Sequence, residues 1–177
     1  KAGVKYLSLF AFSNENWKRP SEEVSSLMDL LVKFLRRELN ELKRNNVRLL
    51  VAGRKNFSKK VIKVLDKSVK ETENNTSMNL VLCLDYGGRQ EIVDTACKFN
   101  GLTEEEFSES LYLPDVPDID LLIRTSGEER ISNYMLWRLS YSELYFTDTL
   151  WPDFDIEEMK KALKAYNMRS RRFGMRI

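Results

Sequence analysis

Short apolar runs alternate along this chain with longer stretches in which apolar positions return every third or fourth residue. A mostly parallel α/β sheet flanked by helices is written this way. Five runs predict strands: Val4 to Phe12, Val47 to Ala52, Met78 to Leu84, Ile119 to Arg124 and Glu143 to Phe146. Each is short and dense in Leu, Val, Ile or aromatics, as strands buried on both faces are.

Helical periods fill the gaps. Ser21 to Asn46 predicts a long helix, with Ser21 placed to cap it, Glu22 and Glu23 at the positive end of its dipole, and Lys43 and Arg44 at the negative end. Its first half carries Leu27, Met28, Leu30, Leu31, Val32, Phe34 and Leu35, more than the single stripe that packing on a sheet needs. Burial on two sides is the simpler account; the wall of an apolar tunnel is the sharper one. Ser58 to about Glu73 predicts a second helix, with Val61, Ile62, Leu65 and Val69 on one face, and Arg89 to about Asn100 a third. Thr103 with Glu106 makes a capping box for a short fourth helix, and Asp155 caps a last one carrying Met159, Leu163 and Tyr166. There is no repeat, and Leu113 to Pro117 is a rigid connector, so a single domain over residues 1–177 is expected.

Composition narrows the chemistry. With 29 basic and 27 acidic residues the net charge is +2, and no whole-molecule field points to nucleic acid as a partner. Histidine is absent, which removes histidine-based triads, and Cys83 and Cys97 have no metal-type spacing. No run is long enough for a membrane-spanning helix and no signal-like segment opens the sequence, so a cytoplasmic protein is expected. The sequence starts at Lys1 rather than Met, and residues upstream of it are expected.

In open α/β sheets ligands bind beyond the carboxyl ends of the strands, so the segments that follow strands are where chemistry is sought. Arg124 ends a predicted strand, and Arg130 follows after one short loop, beside Ser132 and a predicted helix start. Two guanidiniums, a hydroxyl and free N–H groups suit a phosphate or diphosphate; an Arg–Glu network through Glu128 and Glu129 that only ties the loop down accounts for them equally well. Gly87-Gly88-Arg89 suits the approach of an anion, although turn geometry alone explains two glycines there. Neither a dinucleotide fingerprint nor a P-loop is present, which argues against ATP, GTP and NAD. A diphosphate calls for a hard cation, and Glu143, a charge in the apolar run Ser142-Glu143-Leu144-Tyr145-Phe146, is the carboxylate that stands out as a ligand. An exposed strand start, or a pairing with an arginine, explains Glu143 more simply. Trp17 lies in the polar loop Ser13 to Pro20, either as a lid over a substrate or as a pin holding the loop to the core.

Taken together, these segments resemble the cis-prenyltransferase family, and bacterial undecaprenyl diphosphate synthase within it. The motifs Ala11 to Pro20, Tyr86 to Arg89, Leu122 to Glu128, Arg130 to Asn133, Tyr141 to Phe146 and Trp151 to Phe154 stand in the family's order and spacing, from Tyr6 to Gly174. The resemblance implies condensation of isopentenyl diphosphate with an allylic diphosphate such as farnesyl diphosphate, each new double bond being cis. By the same resemblance the product would serve as a cell wall lipid carrier. Arg124, Arg130, Ile131 and Ser132 would hold isopentenyl diphosphate, and Glu143 would help place Mg2+. Arg172 and Gly174, in the family's C-terminal Arg-x-Gly element, would reach the phosphate site across a homodimer. Ser13, Asn14 and Glu15 would lie beside substrate, and Asn16, Trp17 and Arg19 match positions that the family assigns to catalysis. An amide is too weak a base to take a proton alone, so Asn16 is expected to orient substrate, water or the departing diphosphate. The long helix would help wall a tunnel, with Leu27, Met28, Leu31 and Leu35 touching product. Contact with a membrane would be peripheral, through that product.

The chain also departs from the family. There a first strand and its loop supply an Mg2+-binding aspartate and a phosphate-cradling turn, and nothing before Lys1 provides them. Asp85 stands where an asparagine is usual, and Asn14 where a small hydroxyl residue is usual. Two rival readings remain: a non-catalytic subunit of a prenyltransferase complex, against which the retained polar residues argue, and a phosphate-ester hydrolase on a similar sheet.

Overall fold

The apolar run around Val81 is so free of charge that it must be covered on both faces, and it becomes the centre of a sheet. In a computed structural model that describes residues 3–170, β3 (Met78–Tyr86) lies between β1 (Tyr6–Ser13) and β2 (Val47–Ala52). All pairings are parallel, with Leu9 opposite Leu82 and Leu49 opposite Leu80. The register of β1 slips between Phe10 and Phe12 and again before Ser13, so the strand is irregular where it feeds the next loop.

Connections between parallel strands need crossovers, and helices supply them. α1 (Ser21–Arg44) joins β1 to β2, and α2 (Lys59–Thr72) joins β2 to β3. Ser58 caps α2, its hydroxyl accepting from the Val61 N–H. Pro20, not Ser21, occupies the cap position of α1, and Ser21 is the first helical residue. The side chains of Val32, Leu35 and Leu39 are buried along one stripe of α1, while Leu30 and Phe34 are exposed. Within the single chain one side of α1 is buried, and Leu35, at 1% exposure, lies in the core with Leu49, Leu65 and Leu84. Leu27, Met28 and Leu31 pack partly buried against the same cluster. Each fully buried Leu contributes about 1.5–3 kcal/mol.

α3 (Gly88–Ala96) follows β3, and α4 (Glu104–Ser108) carries the predicted capping box: Thr103 Oγ1 accepts from Glu106 N, and Glu106 Oε2 from Thr103 N. Backbone contacts divide the chain into two compact units, Lys1–Pro114 and Asp115–Ile177. The second has a two-stranded parallel ladder of β4 (Leu121–Arg124) and β5 (Glu143–Phe146), on which α5 (Ile156–Asn167) packs. Asp155 caps α5, its Oδ1 accepting from Glu157 N and Glu158 N. The helix expected after Ser132 does not form. Ser132, Asn133 and Met135 have φ of 50, 63 and 34°, left-handed values that turn a chain instead of winding it into a helix.

Candidate functional site

In the first unit the chain leaves β1 into a single 3-10 turn, Asn14–Lys18. Asn16 folds back so that its Oδ1 accepts the Ser13 N–H at 2.8 Å. That bond engages the amide oxygen and leaves the NH2 of Asn16 available as a donor. Asn14 Oδ1 is buried without a hydrogen-bond partner, and Glu15 is exposed. Arg19 lies on the surface in an ion pair with Glu23 at 2.6 Å. Exposed pairs of this kind are worth about 0–1 kcal/mol, so the guanidinium exchanges easily for another anion.

Trp17 is pinned. Its indole Nε1–H donates to Asp85 Oδ1 at 2.6 Å, and its ring packs edge-on against Phe12 and tilted against Phe57, at centroid distances of 5.0 and 5.6 Å. Asp85 is 3% exposed, and its Oδ2 accepts from the Asn56 N–H at 3.0 Å. The sequence marks Asp85 as a departure from the usual asparagine and as a carboxylate directly following Leu82-Cys83-Leu84, but its partners come from the loops after two other strands, so they are not legible there.

Nothing at the glycine pair demands an anion from outside. Gly87 is extended at φ −158°, which any residue adopts, and the first turn of α3 already holds the buried carboxylate of Glu91. Glu91 accepts from Tyr86 OH at 2.5 Å and from Tyr112 N at 3.2 Å. Close by, Asp94 accepts from the Arg54 guanidinium, Tyr112 OH and Gln90. The Arg54 hydrogen bond holds the Asp94 carboxyl below the usual carboxylate range, while burial pushes the Tyr112 hydroxyl up.

In the second unit Arg124 ends β4 with its Nε buried and without a hydrogen-bond partner. Buried donors are nearly always satisfied, so a guanidinium left like this marks a place for an acceptor. The loop beyond is tied to the end of β5: Ser126 N donates to Thr149 O at 2.9 Å and Gly127 N to Thr147 O at 3.0 Å. Arg130 forms an ion pair with Glu128 and is largely exposed; Ile131 and Ser132 follow, the latter in the left-handed turn. Glu143 opens β5 opposite Leu121, whereas Arg124 lies opposite Phe146. Three residues of strand, about 10 Å, therefore separate their backbone positions along the ladder. Glu143 Oε2 accepts from Arg169 at 2.7 Å, and among the described residues its Oε1 takes no partner. So Glu143 and Arg130 both adopt the simpler ion pairs anticipated for them. Arg172 and Gly174 lie outside the described residues.

Among the described residues there is no cluster of three His, Cys, Asp or Glu side chains able to hold a metal by themselves. Mg2+ does not require one: it keeps several waters and is bound through one or two carboxylates together with substrate phosphates. The open Oε1 of Glu143 fits that demand.

Comparison with known proteins adds the family. The family model "Putative undecaprenyl diphosphate synthase" matches residues 1–174. An isoprenyl transferase of Fusobacterium nucleatum is 51% identical over 97% of this chain and 77% of its own length. One from Thermotoga maritima is 48% identical, over 97% and 78%. Among solved structures, a probable undecaprenyl diphosphate synthase from Campylobacter jejuni superposes with a TM-score of 0.88 at 36% identity, covering 96% of this chain and 83% of that one. Lavandulyl diphosphate synthase from Lavandula x intermedia, in complex with dimethylallyl diphosphate, gives 0.93 at 32%, covering 97% and 80%.

Proposed function

The chain belongs to the undecaprenyl diphosphate synthase family of cis-prenyltransferases, and from that premise we propose that it condenses isopentenyl diphosphate with an allylic diphosphate such as farnesyl diphosphate. The product is a cis-polyprenyl diphosphate. The observation that carries the assignment of residues is the buried, unpartnered Nε of Arg124 at the end of β4. A diphosphate oxygen is the acceptor that this donor lacks.

Arg124, with Arg130, Ile131 and Ser132 from the loop that follows, binds the diphosphate of isopentenyl diphosphate. Arg130 leaves its exposed partner Glu128 to do so, at little cost. Arg172 and Gly174 are assigned to the same diphosphate by family likeness alone. Ser13, Asn14 and Glu15 line the allylic substrate. Asn16, Trp17 and Arg19 serve the reacting end.

In the reaction the allylic C–O bond breaks, its electron pair leaving with the diphosphate. The isopentenyl double bond attacks the allylic carbon, and a proton leaves the isopentenyl unit to form the new double bond. Asn16 donates its NH2 to an oxygen acceptor and does not take that proton, because an amide is far too weak a base; a diphosphate oxygen is a chemical class able to receive it. Arg19 and Arg124 stabilise the charge that develops on the diphosphates. Bound Mg2+, held by Glu143 through Oε1 and by substrate oxygens, would supply electrophilic stabilisation of the leaving group.

We read residues 1–177 as one catalytic domain, supported by a family match that runs through both compact units. The enzyme works as a homodimer in the cytoplasm, touching the membrane only through its lipid product. No helix among the described residues is long and apolar enough to cross a bilayer.

The test is a product assay on the intact enzyme with labelled isopentenyl diphosphate and farnesyl diphosphate. Labelled polyprenyl diphosphates should form with Mg2+ and disappear on chelation with EDTA. Arg124→Ala and Arg130→Ala should each lower kcat/KM for isopentenyl diphosphate by roughly 10- to 100-fold, the loss of a charge-assisted phosphate contact. Unchanged kinetics would remove both from the site, and phosphate release without prenyl product would favour a hydrolase.

A further inference from the structure

We propose that Arg169 is a positioning residue that sets metal selectivity: it occupies one carboxylate oxygen of Glu143, so that a divalent cation is offered the other alone, an arrangement that favours Mg2+ over Ca2+. The inference rests on the reading that Glu143 helps hold Mg2+. Its grounds lie within the second unit. Arg169 Nη1 donates to Glu143 Oε2 at 2.7 Å, and the two side chains are 36% and 27% exposed, which leaves the pair within reach of a hydrated cation. Oε1 of Glu143 takes no protein donor among the described residues. The two oxygens of this carboxylate are therefore unlike: one faces a guanidinium and the other is open.

A partly exposed ion pair is weak by itself, but this one closes a ring. Glu143 N donates to Asp120 O at 3.0 Å, Tyr166 OH donates to Asp120 Oδ1 at 3.3 Å, and Arg169 N donates to Tyr166 O at 3.1 Å. The residue before β4, the start of β5 and the end of α5 are thus joined through four residues, with the Arg169–Glu143 bond as the last link. The other end of α5 is held by the Asp155 cap. Backbone bonds therefore set the place from which Arg169 reaches Glu143.

A carboxylate with both oxygens free can hold a large cation through the pair of them. Ca2+, which takes about six to eight oxygens at roughly 2.3–2.6 Å in flexible geometry, accepts such a ligand readily. Mg2+ demands near-ideal octahedral geometry at about 2.0–2.1 Å and keeps several waters, so a single oxygen suits it. With Arg169 on Oε2, a cation at Glu143 is held through Oε1 only. The positive charge of the guanidinium repels Mg2+ and Ca2+ alike; denial of the second oxygen is what separates them. Hydrogen-bonded neighbours that orient a metal-binding side chain tune the site in this way.

The test measures cation binding without turnover. Mn2+ is titrated into the intact enzyme with isopentenyl diphosphate and no allylic substrate, free Mn2+ is followed by electron paramagnetic resonance, and the bound ion is displaced with Mg2+ or Ca2+. Arg169→Met keeps the stem and removes the donors; it should raise affinity for Ca2+ relative to Mg2+ by roughly tenfold, and Arg169→Ala should do the same. Arg169→Lys, which returns a charged donor, should bring the ratio to within about threefold of wild type. Glu143→Gln should lower Mn2+ affinity by about tenfold or more, and Arg169→Met added to it should leave the Ca2+/Mg2+ ratio unmoved, since no carboxylate remains to be shared. Equal tightening of both cations in Arg169→Met reduces the arginine to a charge and overturns the proposal. So does an unchanged ratio, a ratio that shifts equally in the Glu143→Gln background, or unfolding of both Arg169→Met and Arg169→Ala. Mn2+ affinity unchanged in Glu143→Gln removes Glu143 from the metal and this proposal with it. A wild-type enzyme without prenyl product but with the shifted ratio defeats the functional reading and leaves Arg169 in its role.

Discussion

Gly53 ends the path of the chain out of β2 with a φ of 132°, and a Cβ built there would lie 1.9 Å from the carbonyl oxygen of Leu84. Backbone, not a flexible side chain, is what it would strike. Gly53→Ala should therefore lower stability by about 2–4 kcal/mol, read as a shift in urea midpoint with unchanged m-value; a shift below about 0.5 kcal/mol would mean that the two strand ends separate easily. The neighbouring Asp94 shows a different kind of single-residue effect. Its carboxyl is held below the usual range by Arg54, so the folded state binds fewer protons than the unfolded one as pH falls below the ordinary value of 3.8. The associated stability is complete above that pH and fades below it. Because Arg54 and Asp94 are partly exposed, solvent keeps the effect small.

At the scale of elements, α1 shows how much hydrophobic periodicity says and where it stops. Leu35 is 1% exposed and Leu30 62%, although both sit in the same apolar run. Leu35→Ala should cost about 2–5 kcal/mol in chemical denaturation, whereas Leu30→Ala should stay within about 0.5 kcal/mol. Equal costs would mean that Leu30 is covered in solution. Two strands form with the predicted bounds, Val47–Ala52 and Glu143–Phe146, because short segments dense in branched and aromatic residues favour extended backbone. Caps at Thr103 and Asp155 were legible too, since capping depends on neighbours within three residues, although the cap expected at Ser21 falls on Pro20 instead. The turn at Ser132 and Asn133 was not. Left-handed backbone at non-glycine residues has no strong local signature, and the helix that the motif invited does not form.

For the whole molecule the net charge of +2 leaves recognition to local groups, in keeping with a substrate gripped by a few arginines rather than steered by a global field. The chain spans 77% and 78% of the length of its relatives from Fusobacterium nucleatum and Thermotoga maritima. Its ladders occur as a three-stranded and a two-stranded sheet. A homodimer is the expected assembly of the intact enzyme, and sedimentation equilibrium at micromolar concentration should return twice the protomer mass; a monomer retaining full turnover would remove the partner from the reaction.

By itself the sequence determined the order of the strands and of all the helices but the one expected after Ser132, the caps at Thr103 and Asp155, the family and the candidate residues Asn16, Arg124, Arg130 and Glu143. All of these depend on residue type and short spacing, which the chain carries directly. Only the tertiary structure decided the pairing order β1-β3-β2, the partner of Glu143, the bond that engages the Asn16 oxygen and the hydrogen bond between Trp17 and Asp85. Apart from the Asn16 turn, these join residues at least 26 positions apart in the chain, and even that turn owes its place to Trp17. Direction and partnership of polar groups are settled by what else is desolvated around them, and no linear pattern records that.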